Sequence, residues 1–125
     1  MQLVLDTSIV IELERKNEDI LSKIEELKNR YSSIPKISFI TYFELLEGIA
    51  NKSEKNKEEA EKFIELFEVL QTTKRTAKNL VMLKRNYELP IPDLIIAAHT
   101  LEIGGILVTK DNDFKNIKEI DKVIF

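Results

Sequence analysis

The chain has 125 residues, a length that fits one domain with a full hydrophobic core. Because it contains no cysteine, disulfides, zinc ribbons and iron–sulfur clusters are excluded, and we expect a reducing, cytoplasmic location. No apolar run approaches the roughly 18 residues that a membrane span needs, so we expect no membrane association. The net charge of −3 argues against a general nucleic-acid coat protein, which usually carries a basic face.

Apolar spacing, capping residues and turn residues predict the elements along the chain. In order they are a strand at 3–5, helices at 6–14 and 19–31, a strand at 37–40, helices at 41–50 and 58–70, a short strand within 69–72, helices at 74–87 and 93–103, a strand at 106–109, a turn at 111–116 and a strand at 122–125. Thr41 is the predicted cap of the third helix, 52–57 a polar link and 89–92 a rigid loop.

Strands alternate with helices throughout the chain. This pattern predicts an α/β fold, with a central, mainly parallel sheet of four or five strands flanked by helices. We expect a single domain over residues 1–125, since there is no internal repeat, low-complexity stretch or linker.

The positions of the aspartates carry the functional signal. Four of the six lie where a strand ends or a helix begins, namely Asp6, Asp93, Asp111 and Asp113. Ligands of open α/β sheets bind outside the carboxyl ends of the strands, so Asp6, Asp93 and Asp111 are predicted to meet at that edge. Glu44 lies one turn into the helix that follows the second strand, and it is predicted to join them. Taken singly, each acid is better explained as a cap, a turn residue or a solvated side chain, and only their convergence on one edge favours a functional site.

Such a cluster carries an energetic cost. Two carboxylates about 5 Å apart repel by roughly 3 kcal/mol at an effective dielectric constant of about 20. Lys110 is the only basic residue directly beside these positions in the sequence. A hard divalent cation, Mg²⁺ or Mn²⁺, is therefore the expected partner of the acids, and phosphodiester hydrolysis is the chemistry that such a site performs.

The four acidic segments resemble the acidic motifs of PIN-domain ribonucleases, and most of all those of the VapC toxins of toxin–antitoxin pairs. The segments are LDTS at 5–8, YFELLEG at 42–48, PDLIIAA at 92–98 and LVTKDNDF at 107–114. They occur in the family's order and span nearly the whole chain. The chain departs from the family at 86–88, where a glycine often precedes the third motif, and in the two aspartates of its fourth motif.

The resemblance implies endonucleolytic cleavage of RNA with Mg²⁺ or Mn²⁺. The catalytic and metal-binding quartet that it implies is Asp6, Glu44, Asp93 and Asp111. Thr7 and Thr109 take the hydroxyl positions beside two of these acids, where the hydroxyl either holds the carboxylate in place or binds a metal-bound water. For the fourth acid we assign Asp111 to the metal and Asp113 to a helping or capping role, with Asp113 as ligand the alternative.

Other residues near the motifs have weaker signals. His99 lies six residues after Asp93, which places it about 240° around the helix, so a structural or surface role is expected. Glu47 is either a peripheral ligand or a solvated residue, and Gly48 leaves space on the same helix face. Lys110 and Lys115 flank the acidic turn, and either is a candidate phosphate contact.

The resemblance also implies two protein partners, a small antitoxin and a second copy of the chain. Apolar stripes with Tyr31, Phe63 and Phe67 on the helices at 19–31 and 58–70 offer a docking surface, although ordinary core packing explains them equally well. Two other functions stay open. One is a metal-dependent phosphatase, but Ser8 stands where aspartate-nucleophile phosphatases need a second aspartate. The other is a non-catalytic module of the same fold that binds RNA or protein.

Overall fold

A computed structural model describes all 125 residues, and its centre is a five-stranded sheet in which every pairing is parallel. The strands are β1 (Leu3–Leu5), β2 (Lys36–Ser38), β3 (Glu68–Leu70), β4 (Ile106–Thr109) and β5 (Asp121–Ile124). Their spatial order is β3-β2-β1-β4-β5, so the chain reverses direction across the sheet between β1 and β4. In open α/β sheets a ligand binds at the carboxyl side of this reversal.

Six helices and one 3₁₀ helix cover the two faces of the sheet. The helices are α1 (Thr7–Glu14), α2 (Glu18–Tyr31), α3 (Phe39–Ile49), α4 (Glu54–Ile64), α5 (Lys74–Asn86) and α6 (Ile91–Glu102), and the 3₁₀ helix spans Asn112–Asn116. None of them is both long and apolar enough to cross a membrane. The predicted α/β fold with a parallel sheet and flanking helices is confirmed.

Alternation along the strands divides the core into two layers. Leu3 and Leu5 pack with α1 to α4 on one face, whereas Val4 packs with α5 and α6 on the other. Successive side chains of a strand point to opposite faces, which is why a fully buried strand such as β1 serves both layers. The acidic segments begin where these buried strands end.

The second strand is shorter than predicted. The structure ends β2 at Ser38 and begins α3 at Phe39, and Ser38 caps the helix by accepting a hydrogen bond from the Ile40 N–H at 3.2 Å. The predicted cap, Thr41, is instead a fully buried helix residue. Serine caps a helix at least as well as threonine, so the first hydroxyl after the strand takes the position.

Two other helices, α4 and α6, also have boundaries that differ from the prediction. The fourth helix begins at Glu54, inside the predicted polar link, because lysine and glutamate are good helix formers and Ser53 precedes them at the cap position. It ends at Ile64, since 68–70 pair with β2 instead. The sixth helix begins at Ile91, within the predicted loop, and it accommodates Pro92 in its first turn, where a missing N–H costs no hydrogen bond.

Candidate active site at the carboxyl edge of the sheet

Asp6 follows β1 and is buried, with 6% of its surface exposed. Its backbone N–H donates to the Val108 carbonyl at 2.9 Å, which extends the β1–β4 pairing to this position. Its Oδ1 accepts the Thr7 N–H at 2.9 Å, so Asp6 caps α1. Its Oδ2 accepts the hydroxyls of Ser8 at 2.9 Å and Thr109 at 2.7 Å. These neutral donors hold the carboxylate in one orientation without a basic partner.

Glu44 is held by a chain of two hydroxyl groups. The Thr7 hydroxyl lies 2.8 Å from Glu44 Oε1 and 3.0 Å from the hydroxyl of Thr41, which is buried. Because a hydroxyl has one hydrogen, Thr7 donates to the carboxylate and accepts from Thr41. The arrangement gives Thr7 the supporting contact that its position predicted.

Asp111 follows β4 and lies partly exposed at the mouth of the site. Its N–H donates to Thr109 Oγ1 at 2.9 Å, and its Oδ1 accepts the Asp113 N–H at 2.8 Å. The capping role that we gave to Asp113 is therefore wrong, since Asp111 caps the 3₁₀ helix and Asp113 lies exposed within it. The contact occupies Oδ1 of Asp111 and leaves Oδ2 for another partner.

Asp93 is the acid most affected by the others. It lies half-buried in the first turn of α6, and its pKa is raised to about 6. Burial is the largest cause, and repulsion by Asp6, Asp111, Glu44 and Asp113 adds to it in that order. The structure thus brings the four predicted acids and Asp113 close enough to act on one another.

The oxygen ligands of the site suit a hard divalent cation, but the acidic side chains are not arranged around a common point where a cation could bind. Carboxylate and hydroxyl oxygens are the ligands that Mg²⁺ and Mn²⁺ prefer. No group of three or more His, Cys, Asp or Glu side chains is placed so that it could hold a metal ion. The chemistry of the acids therefore fits a metal, and binding one requires side-chain rotation about a fixed backbone.

Ser8 and Thr41 are two site residues that the sequence predictions missed. Ser8 is part of the first motif, and its position two residues after Asp6 at the start of a helix was the available signal. Thr41 gave no such signal, because it joins the site only through its contact with Thr7, 34 positions away in the chain.

His99 has the structural role that was predicted. It is fully buried, its Nδ1 lies 2.8 Å from Ser38 Oγ, and its Nε2 lies 3.2 Å from Thr72 Oγ1. Burial is the main cause that lowers the His99 pKa. The Lys110 side chain contacts Glu12 at 3.7 Å, away from the acids.

A cleft of about 800 Å³ lies between α1 and α3, and Glu44 is the one of the four predicted acids that lines it. Thr7 and Glu44 line its inner end, and Glu47 and Gly48 lie along α3. The remaining lining residues are Ile11, Glu14, Arg15, Leu45, Asn51 and Lys52. The acidic site is therefore open to a ligand larger than a single ion.

Residues 3–120 match the family model of the PIN domain. The chain belongs to the PIN domain family. No curated protein sequence matches it significantly. PIN domains of the VapC kind are nucleases, which makes this chain, by family, a hydrolase of nucleic acid.

Solved structures of VapBC proteins share this fold over almost the whole chain. The structure of VapBC2 from Rickettsia felis, bound to a promoter DNA fragment, matches with a TM-score of 0.84 and 20% identity, covering 100% of this chain and 99% of that one. DNA-bound VapBC from Salmonella typhimurium has a TM-score of 0.81 and 25% identity, covering 99% and 98%. VapBC-1 from Haemophilus influenzae has a TM-score of 0.79 and 26% identity, covering 99% and 98%. This PIN domain is VapC-like.

The raised pKa of Asp93 predicts an unusual pH dependence of stability. A carboxyl whose pKa rises on folding binds its proton more tightly in the folded state, so its stabilising contribution is present below pH 4 and is lost as the pH rises through about 6. Asp93→Asn is therefore expected to raise the free energy of unfolding by about 1–3 kcal/mol at pH 8 and to change it little at pH 4. Urea unfolding in EDTA measures both values.

The matched control is Asp121→Asn, which removes an exposed carboxylate from β5. We expect the two pH values to give similar effects for this control. Equal effects of Asp93→Asn at pH 4 and pH 8 would contradict the raised pKa of Asp93.

Proposed function

We propose that this PIN domain is a metal-dependent endoribonuclease and the toxin of a toxin–antitoxin pair, acting in the cytoplasm. The observation that carries the proposal is a cluster of four carboxylates at the carboxyl edge of the sheet, none of which pairs with a basic side chain. The raised pKa of Asp93 agrees with this clustering. The acids proposed to hold the metal and carry catalysis are Asp6, Glu44, Asp93 and Asp111. Mg²⁺ or Mn²⁺ bound there would supply an activated water and neutralise charge on the phosphate.

The residues of the chain itself have distinct roles in this proposal. Thr109 and Ser8 orient Asp6, and Thr7 orients Glu44, so that two acids keep their directions when no cation is bound. Asp93 has no such donor. Its pKa is raised first by burial and then by repulsion from the other acids, and a cation would relieve that repulsion. Membership of the PIN domain family favours this nuclease over the alternative phosphatase.

The first test is cleavage of a fluorescent single-stranded RNA with Mg²⁺ or Mn²⁺. We expect Asp6→Asn and Asp93→Asn each to lower the rate more than about 100-fold, and Thr109→Ala to lower it about 10–100-fold through its contact with Asp6. Asp121→Asn should retain full activity. Cleavage in EDTA, or by both acid variants, would overturn the mechanism, and a wild-type chain that binds metal without cleaving RNA would indicate a non-catalytic module.

The fourth acid is tested by comparing Asp111→Asn with Asp113→Asn under limiting Mn²⁺. Asparagine caps a helix as well as aspartate does, so Asp111→Asn keeps the contact with the residue 113 N–H and removes only the charge. We expect it to raise the Mn²⁺ concentration for half-maximal cleavage more than Asp113→Asn does, since Asp113 lies exposed. The reverse order would assign Asp113 as the ligand.

The antitoxin is proposed to dock in an apolar groove of about 210 Å³ between α2 and α4. Leu21 and Phe63 line this groove and also a second groove beside it. The second groove meets the α1–α3 cleft at Glu14 and Lys52. A partner that places apolar side chains in the groove can thus extend a basic residue to the acids. The VapBC complexes, with TM-scores up to 0.84, support a partner of this kind.

Leu66→Glu tests this docking site, because Leu66 lines the groove and is 76% exposed, so that folding should not need it. We expect the variant to bind the small protein encoded by the adjacent gene at least tenfold more weakly in calorimetry. Val81→Glu is the matched control, since Val81 is 51% exposed on α5, across the sheet. Unchanged affinity of Leu66→Glu would exclude the groove as the docking site.

The homodimer remains a prediction. The surface that we propose for it differs from the apolar stripes that the sequence indicated. Tyr31, Phe63 and Phe67 are partly buried and pack against the core. Phe39 and Phe43, by contrast, are 43% and 49% exposed on α3 and lie four residues apart, on one side of the helix. We propose this side of α3 as the contact with a second copy.

A further inference from the structure

The cleft between α1 and α3 is polar along its length, and it meets the acidic quartet at Glu44. Ile11 and Leu45 are its two apolar lining residues. Thr7, Glu44 and Glu47 line the end near the acids, whereas the other end is lined by Glu14, Arg15, Asn51 and Lys52. A polar chain bound at the acids would extend along this cleft, since Glu44 belongs to both.

Gly48 lines this cleft, and nothing in the fold requires a glycine at this position. It is a helical residue with no positive φ, so its backbone conformation is open to any residue. A Cβ at this position would meet no atom within 4 Å. Apart from proline, glycine is the least favourable residue in a helix, so alanine would suit α3 better. The glycine instead leaves bare backbone facing the cleft, which allows a ligand to approach closely.

Arg15 provides a cation at the far end of the cleft. A helix rises about 1.5 Å per residue, so Arg15 lies about 12 Å from Thr7 along α1. This distance is too long for contact with a phosphate at the acids, but it suits a neighbouring one. The Arg15 side chain is 73% exposed, and its nearest carboxylate, that of Glu12, is 3.7 Å away and is shared with Lys110 at the same distance.

We propose that the α1–α3 cleft binds the RNA strand that flanks the scissile phosphate, with the strand passing over Gly48 and a flanking phosphate contacting Arg15. The inference rests on the proposed ribonuclease activity. Lys52 contacts Glu14 at 3.0 Å and is thereby neutralised, so Arg15 is the cation available to the strand. The basic segment of the antitoxin proposed above is the competing occupant, since it would enter the same cleft at Glu14 and Lys52.

The test is fluorescence anisotropy of a labelled 12-nucleotide single-stranded RNA with Mg²⁺, using the full chain with Asp93→Asn to prevent cleavage. We expect Arg15→Gln and Gly48→Gln each to weaken binding about tenfold. Arg15→Gln should also lower the slope of log affinity against log salt by about 0.7, the value for one contact to a single-stranded phosphate. With Asp93 intact, both variants should raise KM and leave kcat near the parent value.

Two matched controls separate binding from general effects. Arg30→Gln is the control for Arg15→Gln, since it removes an exposed arginine that also pairs with a glutamate on its own helix. Ala50→Gln is the control for Gly48→Gln, since it adds a glutamine two residues away, outside the cleft lining. Neither should change affinity by more than about twofold. Thermal unfolding shows whether each variant is folded, and Gly48→Ala should be at least as stable as the parent.

The outcomes distinguish the inference from the proposed function. If the parent binds and cleaves RNA but neither Arg15→Gln nor Gly48→Gln weakens binding, the cleft assignment is wrong and the ribonuclease proposal stands. If the Asp93→Asn parent binds no RNA, the cleft assignment and the ribonuclease proposal are both wrong. If an oligoarginine peptide binds and Gly48→Gln weakens that binding alone, the cleft is a peptide site.

Discussion

The parallel pairing of β1 with β4 is the constraint on which the site depends. It aligns the carboxyl ends of two buried strands, so that Asp6 and Thr109 end side by side and form a hydrogen bond of 2.7 Å across 103 residues of sequence. The reversal of strand order at this pair leaves a crevice above it. The acids of α3, α6 and the 3₁₀ helix face one another because they surround that crevice.

Neutral hydroxyl groups make this concentration of negative charge compatible with a folded chain. Ser8, Thr7 and Thr109 donate hydrogen bonds to carboxylates but add no positive charge, so they orient the acids without cancelling their charge. A lysine or arginine at the same positions would stabilise the apo protein and compete with a metal ion. The site therefore retains a repulsion that falls chiefly on Asp93, the acid without a donor.

The sequence was sufficient to predict the features that depend on local chemistry. Apolar runs predicted the strands, and the position of each acid after a strand or at a helix start predicted its place at one edge of the sheet. Helix boundaries were less accurate where two local choices were nearly equal. Ser38 and Thr41 are both good caps, and the position of Ser38 at the end of β2 decided between them.

Sequence patterns could not predict contacts between residues that lie far apart in the chain. Thr41 supports Glu44 only because α1 packs against α3, and nothing near Thr41 in the chain indicates this. The roles of Asp111 and Asp113 were similarly decided by the local path of the backbone after β4, which turns so that Asp111 accepts the Asp113 N–H. Residue types predicted where the acids lie, but the path of the backbone determined which of them caps the 3₁₀ helix.

The buried His99 has a consequence for how the protein can be observed in solution. Its Nδ1 contacts the Ser38 hydroxyl at 2.8 Å and its Nε2 contacts the Thr72 hydroxyl at 3.2 Å, so the tautomer sets the direction of both hydrogen bonds. His99 is also the only histidine in the chain. A nitrogen NMR spectrum should therefore contain one histidine ring, located where α6 meets the end of β2. Its chemical shifts would show which nitrogen carries the proton, and they would report any relative movement of α3 and α6 without an attached probe.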